Sequence, residues 1–327
     1  MIANLFFHPK NKSPYISTLQ KTDFILFCRY LCTMKRQITI AFFLFNFFFG
    51  RISATPLPSI STLKQAIEFV DSIKTIEKSP YWVNVSPELF LQNLKSSVHN
   101  PISIYPGRST NFCAFGVISQ LVLEHNPLGY AKFMVQLYFT GHGDYNNIHF
   151  RPSAEVINAA GNLRFKGVLD INHAEQIWFL TLADHFKGYL NFFNHRYNPG
   201  DEDTFWAATN LKKFNKMARA VTGFKTKSVG GDLIHPRLKN TVTYLNNCLK
   251  KGFVVLYINN RILYKKNHEK VKFATPTHYI ILEKIEEVNG TVTLTYWDSG
   301  GKSLRQMSVK TFKKILFGIT LVSSDAK

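Results

Sequence analysis

His278-Tyr279-Ile280-Ile281-Leu282 opens a stretch that runs through Glu286-Glu287-Val288-Asn289-Gly290 to Thr291-Val292-Thr293-Leu294-Thr295-Tyr296-Trp297-Asp298. The first run is apolar and β-branched. The last alternates as a strand does, and Asn-Gly between strand-like runs is the strongest short hairpin signal. A hairpin sets the start of its first strand beside the end of its second, so His278 and Asp298 are expected to be neighbours. Working outward, Asp298-Ser299-Gly300-Gly301 reads as the next turn, Leu304–Ser308 as a short strand, Val309–Leu316 as a short helix and Ile319–Val322 as a last strand. Upstream, Phe253–Ile258 is another apolar strand. Pro236–Lys251 reads as a helix, closing on Lys250-Lys251-Gly252 with the basic-then-glycine ending that helix C-termini prefer.

The chain before that point is patterned differently. Ser61–Glu77 carries Leu63, Ala66, Ile67, Val70, Ile73 and Ile76 at helical spacing. Ser86-Pro87-Glu88 starts a helix in the favoured order of cap and then proline, running to about Lys95. Further helices are expected from Cys113, over Pro127–Tyr138, Pro152–Ala160 and His173–Tyr197, and through Trp206, Leu211, Phe214, Met217 and Val221 to Thr222-Gly223. Gly141–Asn147 reads as a polar loop and Gly230-Gly231 as a flexible turn. Trp178 and Trp206 are expected in the core or a cleft wall. Helices first and antiparallel strands last make an α+β architecture.

Cys113 follows the polar turn Pro106-Gly107-Arg108-Ser109-Thr110-Asn111 and precedes an apolar, helix-length run. Ser, Thr and Asn cap helix starts, so Cys113 is expected in a first turn. Backbone N–H groups and the helix dipole stabilise an anion there, and a thiolate is an anion. The competing reading is a small buried hydrophobe. Beside Cys113, a histidine oriented by a carboxylate supplies base and orienter for nucleophilic catalysis. Cys113, His278 and Asp298 supply these three groups. His142, Asp144 and His149 lack the spacing that specifies a metal centre, and no phosphate loop or dinucleotide fingerprint is present. No metal and no cofactor are expected.

The N-terminus carries a processing signature. Lys35-Arg36, the apolar run Ile38–Phe49 and the small-residue site Ile52-Ser53-Ala54 form a secretory signal peptide starting at Met34. Residues 1–33 are then read as an upstream extension, 34–54 as the signal and 55–327 as a single mature domain, secreted or periplasmic and without a transmembrane anchor. The 327 residues hold 40 basic and 21 acidic side chains, a formal charge of +19. Seven of the basic residues and one acid lie in residues 1–54, leaving 33 against 20, or +13. Such charge favours acidic partners or envelope surfaces. No zinc-finger spacing, RNA-binding signature or dense basic tract points to nucleic acid. Of four cysteines, only Cys113 and Cys248 lie in the mature chain, and a disulfide between them competes with a catalytic role.

Pro236–Lys251, Lys251–Leu256, Thr277–Leu282 and Tyr296-Trp297-Asp298-Ser299-Gly300-Gly301 resemble the C-terminal half of papain-like cysteine peptidases. The nearest branch is the one containing the leader-processing (double-glycine) peptidases of bacterial bacteriocin exporters. The resemblance covers roughly residues 106–123 and 236–321. It implies a helical N-terminal lobe carrying the nucleophile, a C-terminal antiparallel β-lobe carrying the base, and a catalytic order of Cys113, His278 and Asp298. About 141–233 matches nothing in that pattern and reads as a helical insertion shaping the substrate site. Two departures stand out. Ala114-Phe115 follows the cysteine where the family often has Gly-Pro, and Gly107 stands where the family has its oxyanion glutamine. Asn111 or Ser109 is the replacement donor, alongside the Cys113 backbone N–H.

The expected function is an exported cysteine peptidase or amidase acting on a peptide or isopeptide bond of a peptide or protein substrate. Two alternatives remain open at this point: a transglutaminase-like acyltransferase using the same triad, and a non-catalytic papain-like binding protein.

Overall fold

A six-stranded antiparallel sheet, its strands ordered Lys225–Gly230, Leu316–Ser323, Phe253–Ile258, His278–Val288, Thr291–Asp298 and Gly301–Ser308 from edge to edge, is the frame of the fold. The computed structural model describes residues 60–187, 196–263 and 275–324, all within one compact unit. The signal-peptide and upstream-extension readings lie outside the described residues.

The helical part comprises α1 (Leu63–Ser72), α2 (Pro87–His99), α3 (Cys113–His125), α4 (Pro127–Thr140), α5 (Ala154–Ala159), α6 (His173–Phe186) and α7 (Leu211–Thr222). Two small hairpins interrupt it: β1 (Gly143–Tyr145) with β2 (Ile148–Phe150), and β3 (Arg164–Phe165) with β4 (Val168–Leu169). The large sheet uses β5 (Lys225–Gly230), β6 (Phe253–Ile258), β7 (His278–Val288), β8 (Thr291–Asp298), β9 (Gly301–Ser308) and β10 (Leu316–Ser323). Helix α8 (Thr241–Leu249) precedes β6, the single turn α9 (Asn260–Leu263) follows it, and α10 (Val309–Ile315) links β9 to β10. The chain is α+β, as its periodicities indicate.

Both faces of the sheet are covered. Val255, Tyr257, Tyr279, Ile281 and Trp297 join one core with the helices α1–α7. Leu256, Ile258, Ile280, Leu282 and Tyr296 face a second core with Leu245 and Leu249 of α8 and Phe312 and Ile315 of α10. Two-sided burial explains why β6 reads as an unbroken apolar run rather than an alternating one, and every residue of β10 is buried too. Helix α3 lies in the first core with ten of its thirteen residues buried, as an all-round apolar helix must. Trp178 of α6 is fully buried and donates its indole N–H to Ser119 Oγ of α3 at 2.8 Å. Burying that donor unpaired would cost about 1–3 kcal/mol. The segment 141–233 therefore supplies core of the helical lobe, with α6 packed against α3.

Several boundaries differ from the expectations. Helix α1 is shorter than Ser61–Glu77 and starts with a capping box between Thr62 and Gln65. The helix expected over Pro236–Lys251 begins only at Thr241, because the Asn240 side chain accepts from Thr243 N–H and fixes the start there. Helix α6 ends at Phe186, where Lys187 takes a positive φ of 25°; residues 188–195 of the expected His173–Tyr197 helix lie outside the described set. Trp206 precedes α7, whose cap is Asn210. The expected loop at 141–147 contains β1 and turns into β2 through Asn146 and Asn147, with φ of 47° and 64°. Asparagine tolerates that left-handed pair, as a two-residue hairpin needs.

The hairpin β7–β8 turns at Asn289 (φ 50°) and Gly290 (φ 74°). Its register starts at Val288 opposite Thr291 but shifts by one residue between Leu282 and Lys284, a bulge at Glu283. Beyond the bulge, Ile281 lies opposite Trp297. Asp298 therefore falls beside Ile280, two residues from His278 and on the same side of the sheet. Without the extra residue it would sit opposite Ile281 and face the other way.

Candidate active site

Cys113 is the first residue of α3 and is partly exposed. The N-cap, Phe112, makes no side-chain cap. The polar residues expected to cap instead hold the loop. Thr110 Oγ1 donates to Pro106 O at 2.5 Å and accepts from Phe112 N–H at 3.3 Å. Asn111 donates its backbone N–H to Glu202 O at 2.7 Å and its side-chain Nδ2 to Thr204 O at 2.9 Å. The loop around Glu202 thus grips the approach to Cys113 by main chain and side chain together.

Across from α3, His278 opens β7 and donates from Nε2 to Asp298 Oδ1 at 2.5 Å. Ser299 Oγ donates to the same oxygen at 2.8 Å. The two side chains of the pair are only 12% and 8% exposed. Cys113 is the other group whose closeness favours the charged imidazole, and with Nε2 on Asp298, Nδ1 is the nitrogen left for it. Burial disfavours the imidazolium, but the hydrogen bonds to Asp298 and Cys113 and the charges of both outweigh it, holding His278 up at about 10. Residues 165 and 20 positions apart in sequence are thus brought together, with the imidazole between the carboxylate and the cysteine that both favour its charge. Cys113 and Cys248 are both free thiols, which removes the disulfide alternative. Cys248 is buried in the second core, and burial pushes its thiol up.

A cleft of about 600 Å3 opens on Cys113. Asn111 lines it as well. Ser109 does not: it is exposed and borders a separate small recess with Arg164, Asp170 and Ile171. The turn explains this, since Gly107 takes φ +95° and Arg108 N–H is tied to Asp170 Oδ2 at 2.6 Å, which turns Ser109 toward the segment before α6. Of the two expected oxyanion donors, only Asn111 shares the space of Cys113.

The cleft walls contain residues the sequence did not single out. Tyr257 and Tyr279 stack at 4.2 Å with 8° between their planes, and Phe214 stacks on Tyr279 at 4.7 Å. Phe205 and Leu233 stand at the opening, 60% and 80% exposed, with Asp203 and Asp232 nearby on the same walls. A Glu202-Asp203 pair in so basic a chain was the one available signal. Elsewhere, His149 Nδ1 bonds Asp144 Oδ1 at 2.9 Å, and the His142 and His149 rings are 5.5 Å apart. Among the described residues no group of three or more His, Cys, Asp or Glu is arranged to hold a metal ion, and no helix is long and apolar enough to cross a membrane. No family model matches the chain, and no curated protein matches it.

Proposed function

We propose that this chain is an exported, papain-like cysteine peptidase or amidase, cleaving a peptide or isopeptide bond with Cys113 as nucleophile, His278 as acid and base, and Asp298 as orienter. The observation that carries the reading is the imidazole of His278, bonded to Asp298 and held charged also by Cys113, which stands at the start of a helix. A raised His278 keeps its proton at neutral pH, so the resting pair is imidazolium beside the sulfur, with Asp298 balancing the charge. The thiolate attacks the carbonyl carbon, forming the C–S bond and placing charge on the carbonyl oxygen. That oxyanion is met by the Cys113 backbone N–H and the second Nδ2 hydrogen of Asn111. His278 gives its proton to the leaving nitrogen as the C–N bond breaks. It then takes a proton from water, which attacks the thioester; the C–S bond breaks, releasing the acid and restoring the thiolate beside the imidazolium.

The absence of the family's glutamine has a local cause. Gly107 occupies a positive-φ position, and a Cβ there would come within 2.8 Å of Ile171 Cδ1, so a glutamine side chain has no room. Asn111, fixed in plane by Thr204 O, takes over that donor's place in our reading.

The test is alkylation by iodoacetamide at pH 6–7, read by peptide mass spectrometry. Cys113 is expected to label at least ~10-fold faster than Cys248, as an activated thiol does, and to lose that advantage in His278→Ala. Equal, slow labelling of both cysteines, unaffected by His278→Ala, would favour the non-catalytic binding reading. The export part rests on the Met34 leader; an intact mass retaining Asn4–Lys21 after secretion would overturn it.

A further inference from the structure

We infer that the cleft beside Cys113 selects a cationic side chain, lysine or arginine, adjoining the carbonyl that Cys113 attacks; this rests on the peptidase reading of the same site. The first observation is a local reversal of charge. The chain carries 40 basic side chains against 21 acidic, yet the described residues lining the cleft include Asp203 and Asp232 and no lysine, arginine or histidine. That reverses the balance of the chain, which stays basic, 33 against 20, once residues 1–54 are set aside.

The second observation is what the acids are doing. In the run Asp201-Glu202-Asp203, two members hold the loop together. Asp201 Oδ2 accepts from Asn198 N–H at 2.8 Å, and Glu202 Oε2 accepts from Tyr197 OH at 2.7 Å and Gly200 N–H at 3.1 Å. The Asp203 carboxylate has no such duty among the described residues; its backbone N–H alone is engaged, with Gly200 O. Asp232 uses Oδ1 to accept from Leu211 N–H at 3.2 Å at the start of α7, and its other oxygen remains available to the cleft.

The third observation is the apolar surface between the acids and the sulfur. Phe205 and Leu233 are large, strongly exposed side chains at the opening, and Tyr257 and Tyr279 form an aromatic wall. A lysine or arginine side chain fits that combination, laying its methylene stem along apolar surface while its charged head reaches carboxylates and aromatic rings. An aspartate or glutamate side chain would meet two like charges there. A short apolar side chain would leave both carboxylates uncompensated.

The experiment uses a set of peptidyl acyloxymethyl ketones that differ only in the residue next to the ketone: lysine, arginine, norleucine or glutamate. The Cys113 thiolate displaces the carboxylate leaving group, forming a C–S bond, and the rate of modification is read by mass spectrometry of the full chain. The lysine or arginine probe is expected to react roughly tenfold faster than norleucine, and glutamate slowest, with the preference shrinking as salt rises. In Asp203→Asn with Asp232→Asn the ratio of lysine to norleucine is expected to approach one. Asparagine keeps an oxygen acceptor for Leu211 N–H, so α7 retains its start. Norleucine reacting as fast as lysine, or a preference untouched by the double substitution, overturns the inference. Iodoacetamide run in parallel separates the two levels. Fast alkylation of Cys113 without side-chain preference sinks only this inference, whereas an inert Cys113 sinks the peptidase reading itself.

Discussion

Removing Asp298 should uncouple the histidine from its charge and shift where the protein is most stable. His278 and Asp298 lie 2.5 Å apart with 12% and 8% of their side chains exposed, so an alanine at 298 leaves an imidazolium nearly buried without its carboxylate. Breaking such a pair from one side costs about 3–5 kcal/mol. At 1.36 kcal/mol per unit, that is about 2–4 units of proton affinity. His278, held up at about 10 by Asp298 and Cys113 together, would fall toward its ordinary 6.5. The direction with pH follows from linkage. A histidine bound more tightly to its proton in the folded state contributes stability that is complete below about 6.5 and is lost as pH rises through about 10. Urea denaturation of wild type and Asp298→Ala at pH 6.5, 8 and 10 reads this directly. The gap between them is expected to be largest at pH 6.5 and to close toward about 1 kcal/mol, the worth of a neutral hydrogen bond, by pH 10. A gap that stays constant or widens with pH would refute the charged pair.

Two further substitutions probe different parts of the molecule. Glu175 is 1% exposed, bonded to Ser97 Oγ at 3.2 Å, and burial raises its carboxyl to about 7, so its contribution is complete below about 4.5 and lost as pH rises through 7. Glu175→Gln is expected to gain thermal stability relative to wild type between pH 5 and 8; a difference that does not move with pH contradicts the buried carboxyl. Asn111→Ala is expected to lower turnover of a lysine-containing peptide by about 10²–10³-fold, the usual loss for one oxyanion donor. Alkylation by iodoacetamide forms no oxyanion and should fall far less; an equal loss in both assays would make Asn111 a support for the loop and not a donor.

The β7–β8 hairpin was legible because Asn289-Gly290 admits few turns, and a hairpin alone brings His278 near Asp298. The start of α3 at Cys113 was legible from the switch of polar turn to apolar run, although the capping side chains proved to be engaged with Pro106 and Thr204. Strand β5 left no sequence signal. It is an edge strand of Lys, Thr, Lys, Ser, Val and Gly, largely exposed, whose place comes from pairing with β10 and not from its own pattern. The cleft walls were illegible for a related reason. Asp203, Phe205, Asp232 and Leu233 sit in connecting segments, and no periodicity states which connections meet over a given helix end. Ser109 and Asn111 looked equivalent as donors because a turn's handedness at Gly107, which separates them, is not written in residue type alone.

The bulge at Glu283 makes the spacing of the hairpin a matter of parity. Counted from the Asn289-Gly290 tip, His278 and Asp298 share a face only because one strand carries one residue more than the other. Lengthening both strands by one residue each preserves that relation. Adding or deleting a single residue in either strand between tip and bulge exchanges the faces, pointing Asp298 into the helical core and a neighbour toward the histidine. Drift in the length of this arm is therefore restricted to matched steps, and a lone deletion of Glu283 would disable the site without touching any residue in it. Among descendants of this sequence, hairpins of different length should differ by even numbers of residues in total, a pattern visible from sequence alone.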